Sequence, residues 1–366
     1  MHFTGLKIET PTPSRFAATP SARSSKYGNA KTKLMDLSAL NLPENVTADL
    51  EELSRHRLAD KTWSTYSTAE RMLSKFHIVR KKAKKLPLSE KTTLEFIHWL
   101  ATDRKLSAGT INSYLAGIRQ LHIAKGLPAP IIRSDVVKLV LKGIQNKDNT
   151  EKLKKNNVRK PITKEIMTLL KKRLRGWNAN NTDQRLLWAV ASNLFHGAFR
   201  IGELLGNRKS EFDPNFDLLT DDIHITAKSV QFRLKMPKED RKGRSTIVDV
   251  YATGGPHCPV RALTKWKALN NDWPAGQPAF RWRSGAPLTQ NDFRDILNSR
   301  LTGFVENPAD IFCTHSFRIG MASMLGALGY DDDDVKAVGR WSSRAFEEYL
   351  MLPRTKRIAM AKKLKL

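Results

Sequence analysis

Apolar positions between about residues 45 and 148 recur every three to four places, in four or five short segments separated by polar turns. In ADKTWSTYSTAERMLSKFHIV, for example, Trp63 and Phe76 fall roughly on one stripe of a helix. Ser89 and Ser134 precede two of these segments, where a serine hydroxyl can accept a hydrogen bond from a free N–H of the first helical turn. The pattern therefore predicts a compact bundle of short helices.

The period changes further along the chain. Residues 161–206 predict two helices, and the second runs through DQRLLWAVASNLFHGAFRIGELLG. From about 218 to 252, apolar and polar residues alternate, as in ITAKSVQFRL and STIVDV, with the charged turn MPKEDRKGRS between them. This alternation predicts a small antiparallel sheet of two or three strands, and the segments after it return to the helical period. We therefore predict a mainly α fold with a small antiparallel β-sheet, in which an N-terminal helical bundle precedes a mixed α+β domain.

Amino-acid composition marks an N-terminal arm, a linker and a C-terminal tail. Residues 1–44 are rich in Ser, Thr, Pro and basic residues and have too few large apolar side chains to offset the entropy of ordering, so we predict a disordered basic arm. Residues 149–160, NTEKLKKNNVRK, are typical of a linker between the helical domain, 45–148, and the mixed domain, 161–352. Residues 353–366 form a basic tail.

The net charge of the chain indicates which class of molecule it binds. The chain has 366 residues, with 63 Lys and Arg against 36 Asp and Glu and a formal net charge of +27. Such an excess favours a polyanionic partner, of which double-stranded DNA is the main candidate, with an acidic membrane surface as the alternative. No apolar run of about 18 residues occurs, so we expect no membrane-spanning segment. The chain's 2 cysteines cannot build a disulfide framework and indicate a reducing compartment. We expect the nucleus if the protein is eukaryotic, and otherwise the cytoplasm with DNA.

Two basic segments could contact DNA phosphates. One is the RKKAKK run between the first two long helices of the bundle, and the other is the linker. A solvated loop or a nuclear import signal would also account for the first run. The predicted DNA contacts are Arg80, Lys81, Lys82, Lys84, Lys85, Lys154, Lys155, Arg159 and Lys160.

Several residues of the mixed domain could carry chemistry, although each, taken singly, could also be purely structural. Arg200 lies three residues before Glu203 on the predicted helix, so a local ion pair would account for both. Lys238 lies in the predicted hairpin turn, where exposed lysines are common. His315 and Arg318 are one helical turn apart. What favours chemistry is the complete order along the chain, which is Arg200, Lys238, His315, Arg318, Trp341 and Tyr349.

That order, R-x-x-E, a lysine in a β-turn, H-x-x-R, G-x-W and then a tyrosine, resembles the tyrosine recombinase (phage-integrase-like) family. The resemblance covers about residues 160–352 as the family's catalytic domain, and residues 45–148 resemble its core-binding domain. The wording HSFRIG…GRWSS…YL is most similar to the recombinases of eukaryotic mobile elements, such as DIRS-type retrotransposons and their relatives. The resemblance implies a site-specific recombinase that needs no metal, ATP or other cofactor and acts as a homo-tetramer on two DNA sites.

The resemblance also implies a role for each residue. Arg200 and Arg318 would hold the non-bridging oxygens of the scissile phosphate, and His315 would hydrogen-bond the same phosphate. Lys238, in K-E-D where the family has K-T-D, would protonate the leaving 5′ oxygen. Tyr349 would attack the phosphorus and form a 3′-phosphotyrosine.

Trp341 is the departure from the family pattern. It falls where most members have His and some have Trp, in G-R-W rather than G-H, and the interval from Trp341 to Tyr349 is one residue shorter than usual. An indole can donate only one hydrogen bond and cannot shuttle a proton. The acid–base work would therefore fall on Lys238 and His315. Thr314 is the expected cap of the helix that carries His315.

The residue types also permit a metal site and two different activities. A zinc site could draw on His257, Cys258, Cys313 and His315, although their spacing is poor for chelation. The acidic run Asp331–Asp334 is typical of a helix N-terminus rather than a metal site. The alternatives to a recombinase are a catalytically inactive DNA-binding protein of the same architecture and a type IB topoisomerase.

Overall fold

The computed structural model describes residues 41–55, 60–81, 83, 85–128, 134–154, 159–175, 181–207, 212–235, 245–269 and 274–349. The chain divides into two compact units, and the boundary falls between Asn157 and Val158. The predicted basic arm, 1–44, and tail, 353–366, lie almost entirely outside the described residues.

The N-terminal unit is a bundle of helices, as the sequence predicts. Its core is formed by side chains such as Leu73, Phe76, Phe96 and Leu100, all of which are fully buried. Ser89 caps the third helix, because its hydroxyl accepts a hydrogen bond from the Thr92 N–H at 3.2 Å. The helices are α1 (Glu44–Arg55), α2 (Asp60–Val79), α3 (Glu90–Thr102), α4 (Ala108–Ala124) and α5 (Asp135–Lys154).

Helix α5 extends further than the sequence predicts. It runs to Lys154, so residues 149–154 of the predicted linker are helical. Polar straight-chain residues such as Glu, Lys and Gln are good helix formers, and a polar composition alone does not end a helix. Thr150 is accommodated because its hydroxyl donates to the carbonyl oxygen of Asn146, one turn back, at 3.0 Å.

The C-terminal unit combines helices with one sheet. Its large core includes the fully buried side chains of Phe199, Phe232, Trp266 and Phe317. The elements are α6 (Lys164–Arg175), α7 (Asn181–His196), α8 (Ile201–Leu204), β1 (Ile223–Ile225), β2 (Ser229–Leu234), β3 (Thr246–Tyr251), α9 (Pro259–Lys267), α10 (Gln290–Leu301), α11 (Pro308–Ile311), α12 (Ser316–Leu328) and α13 (Asp332–Gly339), with 3₁₀ helices at Thr220–Asp222 and Arg344–Tyr349.

The sheet confirms the alternating pattern. Its three strands are antiparallel in the order β1-β2-β3. Val230 lies opposite Val250 and Phe232 opposite Val248, so the buried residues of β2 and β3 share one face. The turn between β1 and β2 is closed by Thr226, whose hydroxyl accepts the Ser229 N–H at 2.9 Å. The predicted mainly α fold with a small antiparallel sheet is therefore confirmed.

Candidate active site

A break between α7 and α8 positions Arg200. The sequence predicts one continuous helix here, but α7 ends at His196 and Ala198 takes a left-handed conformation with a φ of 44°. A Cβ at Gly197 would lie 2.2 Å from the ring of Phe199, so only glycine fits this tight turn. Arg200 itself is extended, with φ −74° and ψ 140°, and immediately precedes α8. It therefore lies at the start of a new helix and not on the face of a long one.

Glu203 holds Arg200 in place. One carboxylate oxygen accepts the backbone N–H of Arg200 at 2.9 Å, and the other accepts its Nη1 at 3.1 Å. The pairing predicted between these two residues is present, and Glu203 accepts the N–H of the N-cap residue as the third helical residue of a capping box does. The Glu203 side chain is only 9% exposed, whereas that of Arg200 is 30% exposed. The carboxylate thus anchors a guanidinium that stays accessible.

Helix α12 carries His315 and Arg318 on its first turn. The helix begins at Ser316, with His315 as the residue before it, so the predicted cap at Thr314 is displaced by one residue. His315 has φ −71° and ψ −20°, which keeps it in the helical spiral, one turn from Arg318. His315 remains accessible to solvent, while Arg318 is fully buried.

Arg318 ties α12 to the break after α7. Its Nη1 donates to the carbonyl oxygen of Ala198 at 2.8 Å. Because Ala198 adopts a left-handed conformation, this bond depends on the same break that positions Arg200 two residues later. The buried guanidinium of Arg318 and the accessible one of Arg200 are therefore fixed by adjoining parts of the backbone.

Trp341 packs against Arg318. Its indole ring lies 4.4 Å from the guanidinium carbon of Arg318, a cation–π contact in a buried setting. A Cβ at Gly339 would lie 1.5 Å from Cζ3 of Trp341, so glycine is required for the ring to occupy this position. The ring also meets Phe346, with ring centroids 5.6 Å apart. Trp341 thus supports one of the two predicted phosphate-binding arginines.

Arg340 is a site residue that the sequence reasoning missed. It takes a left-handed conformation, with φ 53° and ψ 45°, at the end of α13. Its Nη1 donates to the Gly197 carbonyl oxygen at 3.0 Å and its Nη2 to Glu203 at 2.8 Å. Its guanidinium also lies 5.0 Å from the centre of the Phe199 ring. The available signal was its place between Gly339 and Trp341 in the G-R-W motif.

The electrostatics of the site favour an anion. Partial desolvation lowers the pKa of His315, and the positive charges of Arg318 and Arg200 lower it further. The imidazole therefore stays neutral near pH 7 and can donate or accept a hydrogen bond. Arg318 bonds to Ala198, two residues before Arg200, and His315 lies one turn before Arg318, so the three side chains lie in one neighbourhood and both arginine charges act on the imidazole. Two guanidiniums, those of Arg200 and Arg340, share the single carboxylate of Glu203, and Arg318 adds a third positive charge to the site.

For the other two predicted site residues, Lys238 and Tyr349, the side chains lie outside the described part of the structure. Lys238 lies outside the described residues. Tyr349 ends the 3₁₀ helix Arg344–Tyr349, and only its backbone is described. Phe346, on the turn before it, is 1% exposed, as expected of the residue that anchors this segment.

The predicted DNA contacts are scattered. Arg80 lies 3.7 Å from the carboxylate of Asp103, and both side chains are partly exposed. Arg159 donates through Nη1 to the carbonyl oxygens of Ala309 and Phe312, so it fastens the start of the C-terminal unit to α11. The remaining exposed candidates are Lys81, Lys85 and Lys160, whereas Lys82, Lys84 and Lys155 lie outside the described residues, as does the side chain of Lys154.

The acidic run beginning at Asp331 caps a helix. Its predicted role is confirmed, since the Asp331 side chain accepts the Asp334 N–H at 2.8 Å at the start of α13. Within the described ranges, no group of three or more His, Cys, Asp or Glu side chains could hold a metal ion. None of the described helices has the length and apolar character needed to cross a membrane.

Several solved structures have a similar fold. The XerH site-specific recombinase bound to palindromic difH substrate aligns with a TM-score of 0.56 and 13% identity, over 88% of this chain and 85% of that chain. The Tn1549 transposon integrase in complex with transposon right end DNA aligns with a TM-score of 0.56 and 14% identity, over 86% of this chain and 98% of that chain. This chain has their fold.

A third structure agrees with these two. A lambda integrase dimer bound to a COC′ core site aligns with a TM-score of 0.51 and 13% identity, over 88% of this chain and 83% of that chain. No family model and no curated protein matches the sequence. The similarity therefore lies in the recombinase and integrase fold, and the activity must be argued from the site.

Proposed function

We propose that this protein is a site-specific DNA recombinase or integrase that cleaves and rejoins DNA strands through a 3′-phosphotyrosine. The observation that carries the proposal is the convergence of Arg200, His315 and Arg318 from two parts of the chain. Their arrangement supports the binding of a phosphate, because guanidiniums bind phosphate oxygens in a bidentate manner. The neutral His315 adds a hydrogen-bonding group that carries no charge of its own.

The chemistry follows from the residue types. The Tyr349 hydroxyl oxygen attacks the scissile phosphorus, its proton passes to a base such as His315, and the bond from phosphorus to the 5′ oxygen breaks. Lys238 supplies a proton to the departing 5′ oxygen. The crowded intermediate state carries additional negative charge, and two fixed guanidiniums aimed at its oxygens stabilise it by several kcal/mol. Rejoining is the same reaction in reverse, with the 5′ hydroxyl of another strand as the nucleophile.

The finer parts of the proposal rest on the resemblance. The wording of the motifs supports a recombinase of a eukaryotic mobile element, and such an element would require action in the nucleus. The pairing of two DNA sites would require a homo-tetramer. Strand exchange of this kind needs no metal ion or ATP, because the energy of the broken phosphodiester is kept in the phosphotyrosine bond.

The decisive experiment traps the covalent intermediate. DNA fragments selected from a random library for binding are nicked near the cleavage position, so that a short strand is lost after attack and the reverse reaction is prevented. In EDTA, wild-type protein should form an adduct that survives denaturation and maps to Tyr349. Tyr349→Phe should abolish the adduct and leave DNA affinity nearly unchanged, since only one hydroxyl is removed. Tyr330→Phe, at an exposed tyrosine before α13, is the matched control and should behave as wild type.

The outcomes separate the alternatives. If the wild-type protein binds DNA but forms no adduct, it is a non-enzymatic DNA-binding protein. If an adduct forms and supercoiled plasmid is relaxed without a specific site, the activity is that of a type IB topoisomerase. An adduct at another residue, or one that needs magnesium, would contradict the roles given to Tyr349 and its neighbours.

A further inference from the structure

A second basic site lies within the C-terminal unit, on elements that do not carry the candidate active site. A cavity of about 260 Å³ opens between α6, the first half of α7 and α9. Four cationic side chains line it, and the described lining contains no Asp or Glu. Trp188 forms part of its apolar wall. The four cations are Lys171, Arg185, Arg261 and Lys265.

Three of the four cations donate to backbone carbonyl oxygens. Lys171 donates to the Pro256 carbonyl oxygen, Arg261 to the Gly255 carbonyl oxygen and Arg185 to the Lys265 carbonyl oxygen. Lys171 also lies 5.4 Å from the centre of the Trp188 ring. Carbonyl oxygens orient a cationic group without cancelling its charge. The cavity is therefore organised around positive charge before any ligand arrives, which lowers the entropic cost of binding.

Two neighbouring groups respond to this environment. Desolvation and then the charges of Lys171 and Lys164 lower the pKa of His257, which indicates a positive potential at the cavity wall. Burial raises the pKa of the Cys258 thiol, but four backbone N–H groups, beginning with that of Arg261, outweigh burial and lower it overall. These backbone N–H groups lie beside the cavity wall and add to the positive potential of the lysines and arginines.

We propose that this cavity binds a phosphomonoester whose organic part is small and apolar or aromatic. Two arginines and two lysines suit the dianionic phosphate, because guanidiniums bind its oxygens in pairs. The indole of Trp188 and the side chains of Leu174 and Ala262 suit an apolar group attached to it. A volume of about 260 Å³ is slightly below the roughly 300–1,000 Å³ of ordinary ligand sites, so the ligand is small or is one end of a larger molecule.

The test uses the full chain and three probes: phenyl phosphate, a nucleoside 5′-monophosphate and the matching uncharged nucleoside. Calorimetric titration at constant ionic strength should detect both phosphomonoesters and not the nucleoside. Arg261→Glu and Lys265→Glu, both at exposed positions, should each weaken phosphomonoester binding by about tenfold or more. Lys267→Glu makes the same charge change on the same helix outside the cavity lining and should leave binding within about twofold of wild type.

A second readout uses the thiol in the wall. In a Cys313→Ser background, Cys258 is the remaining cysteine of the chain. Bound phenyl phosphate should slow its alkylation by iodoacetamide, and sodium chloride at the same ionic strength should not. The proposal is overturned if no phosphomonoester binds, if the nucleoside binds equally well, or if Lys267→Glu weakens binding as much as Arg261→Glu.

The same chemistry could come from a free metabolite or from the end of a DNA strand. Blunt duplexes with 5′-phosphate and with 5′-hydroxyl ends separate the two sources. A preference for the phosphorylated duplex that disappears in Arg261→Glu assigns the ligand to a DNA end. Binding of phosphomonoesters without that preference assigns it to a free small molecule. Neither arm depends on the adduct at Tyr349, so failure here and failure of the proposed recombinase activity are distinguishable.

Discussion

Glu203 is the residue on which the candidate site depends. Its nearly buried carboxylate accepts hydrogen bonds from Arg200 at 2.9 and 3.1 Å and from Arg340 at 2.8 Å. A carboxylate removed from water needs such partners, and two cations that share it hold each other at a fixed separation. Arg340 therefore positions Arg200 indirectly, from a segment 137 residues away in sequence from Glu203.

We expect Arg340→Met to slow strand cleavage by about tenfold or more, since a misplaced Arg200 stabilises the charged intermediate less well. Arg340→Lys should restore part of the rate, because a lysine keeps the charge beside Glu203 but not the bond to Gly197. Single-turnover cleavage on the nicked substrate measures both variants.

A methylphosphonate substrate distinguishes positioning from general destabilisation. Replacing one non-bridging oxygen by a methyl group removes the phosphate charge that Arg200 would bind. The rate ratio of wild type to Arg340→Met should then shrink towards unity. An unchanged ratio would mean that Arg340 acts only on the stability of the fold.

The pKa of His315 gives a pH prediction. Desolvation, Arg318 and Arg200 lower this pKa from its ordinary 6.5, so the unfolded state binds more protons between the two values. Stability from this residue therefore rises with pH through that window and is constant above about 6.5. The fall in Tm from pH 7.5 to pH 5.5 should be smaller in His315→Gln than in wild type. An equal fall in both proteins would show that the imidazole does not carry the effect.

At the scale of single residues, short motifs are visible in the sequence, whereas contacts between residues far apart in the chain are not. The order of Arg200, His315 and Arg318 along the chain predicts a shared site through the resemblance that it carries, because each residue lies in a short motif. The contact between Arg340 and Glu203 depends on a left-handed backbone at Arg340 and on the packing of α13, which no local pattern encodes. The packing of the Trp341 ring on the guanidinium of Arg318 is likewise a contact between distant residues that the sequence does not show.

At the scale of the elements, periodicity predicted which segments are helices better than where they end. The apolar pattern of α7 continues through HGAFRIGELL, so it conceals the break that Gly197 and Ala198 introduce. Conversely, the polar sequence after Asn149 was taken for a linker although it continues α5 to Lys154. The end of α7 is set by one left-handed backbone conformation and by packing around Gly197, and the composition of the segment does not reveal it.

Close packing of α12 on the start of the C-terminal unit supports the site. A Cβ at Gly320 would lie 2.1 Å from the carbonyl oxygen of Ile162. The N–H of Ile162 also donates to the carbonyl oxygen of Ser316, at the start of α12, at 2.9 Å. Gly320→Ala should therefore reduce the free energy of unfolding by about 1–3 kcal/mol, as overpacking does, and displace His315 and Arg318.

Gly143→Ala in α5 is the matched control. Nothing lies within 4 Å of the added methyl group there, so alanine should stabilise the helix by up to about 1 kcal/mol. Denaturant unfolding of the two variants measures both changes in the free energy of unfolding, which should be opposite in sign. A stable Gly320→Ala protein would show that α12 can move away from Ile162 without cost.

At the scale of the whole molecule, the net charge of +27 is far larger than the candidate site can account for. Charge of this size raises the affinity for DNA through the release of counterions, independently of base sequence. The predicted contacts at Lys81 and Lys85 in the N-terminal unit are exposed and able to reach phosphates. If both units contact the duplex, both contribute to the salt dependence of binding.

We therefore expect the logarithm of DNA affinity to fall linearly and steeply with the logarithm of salt concentration, by about 0.9 for each neutralised phosphate. Replacing Lys81 and Lys85 together by Gln should reduce this slope by about two, because each lysine that contacts a phosphate accounts for about one. Lys142→Gln with Lys147→Gln, at exposed positions on α5, is the control and should leave the slope unchanged. Fluorescence anisotropy on a labelled duplex between low and physiological salt measures all three proteins.

A flat dependence in wild type would contradict phosphate binding as the source of affinity. An equal change in the two double variants would instead mean that the overall charge, and not the 80–85 run, determines the slope.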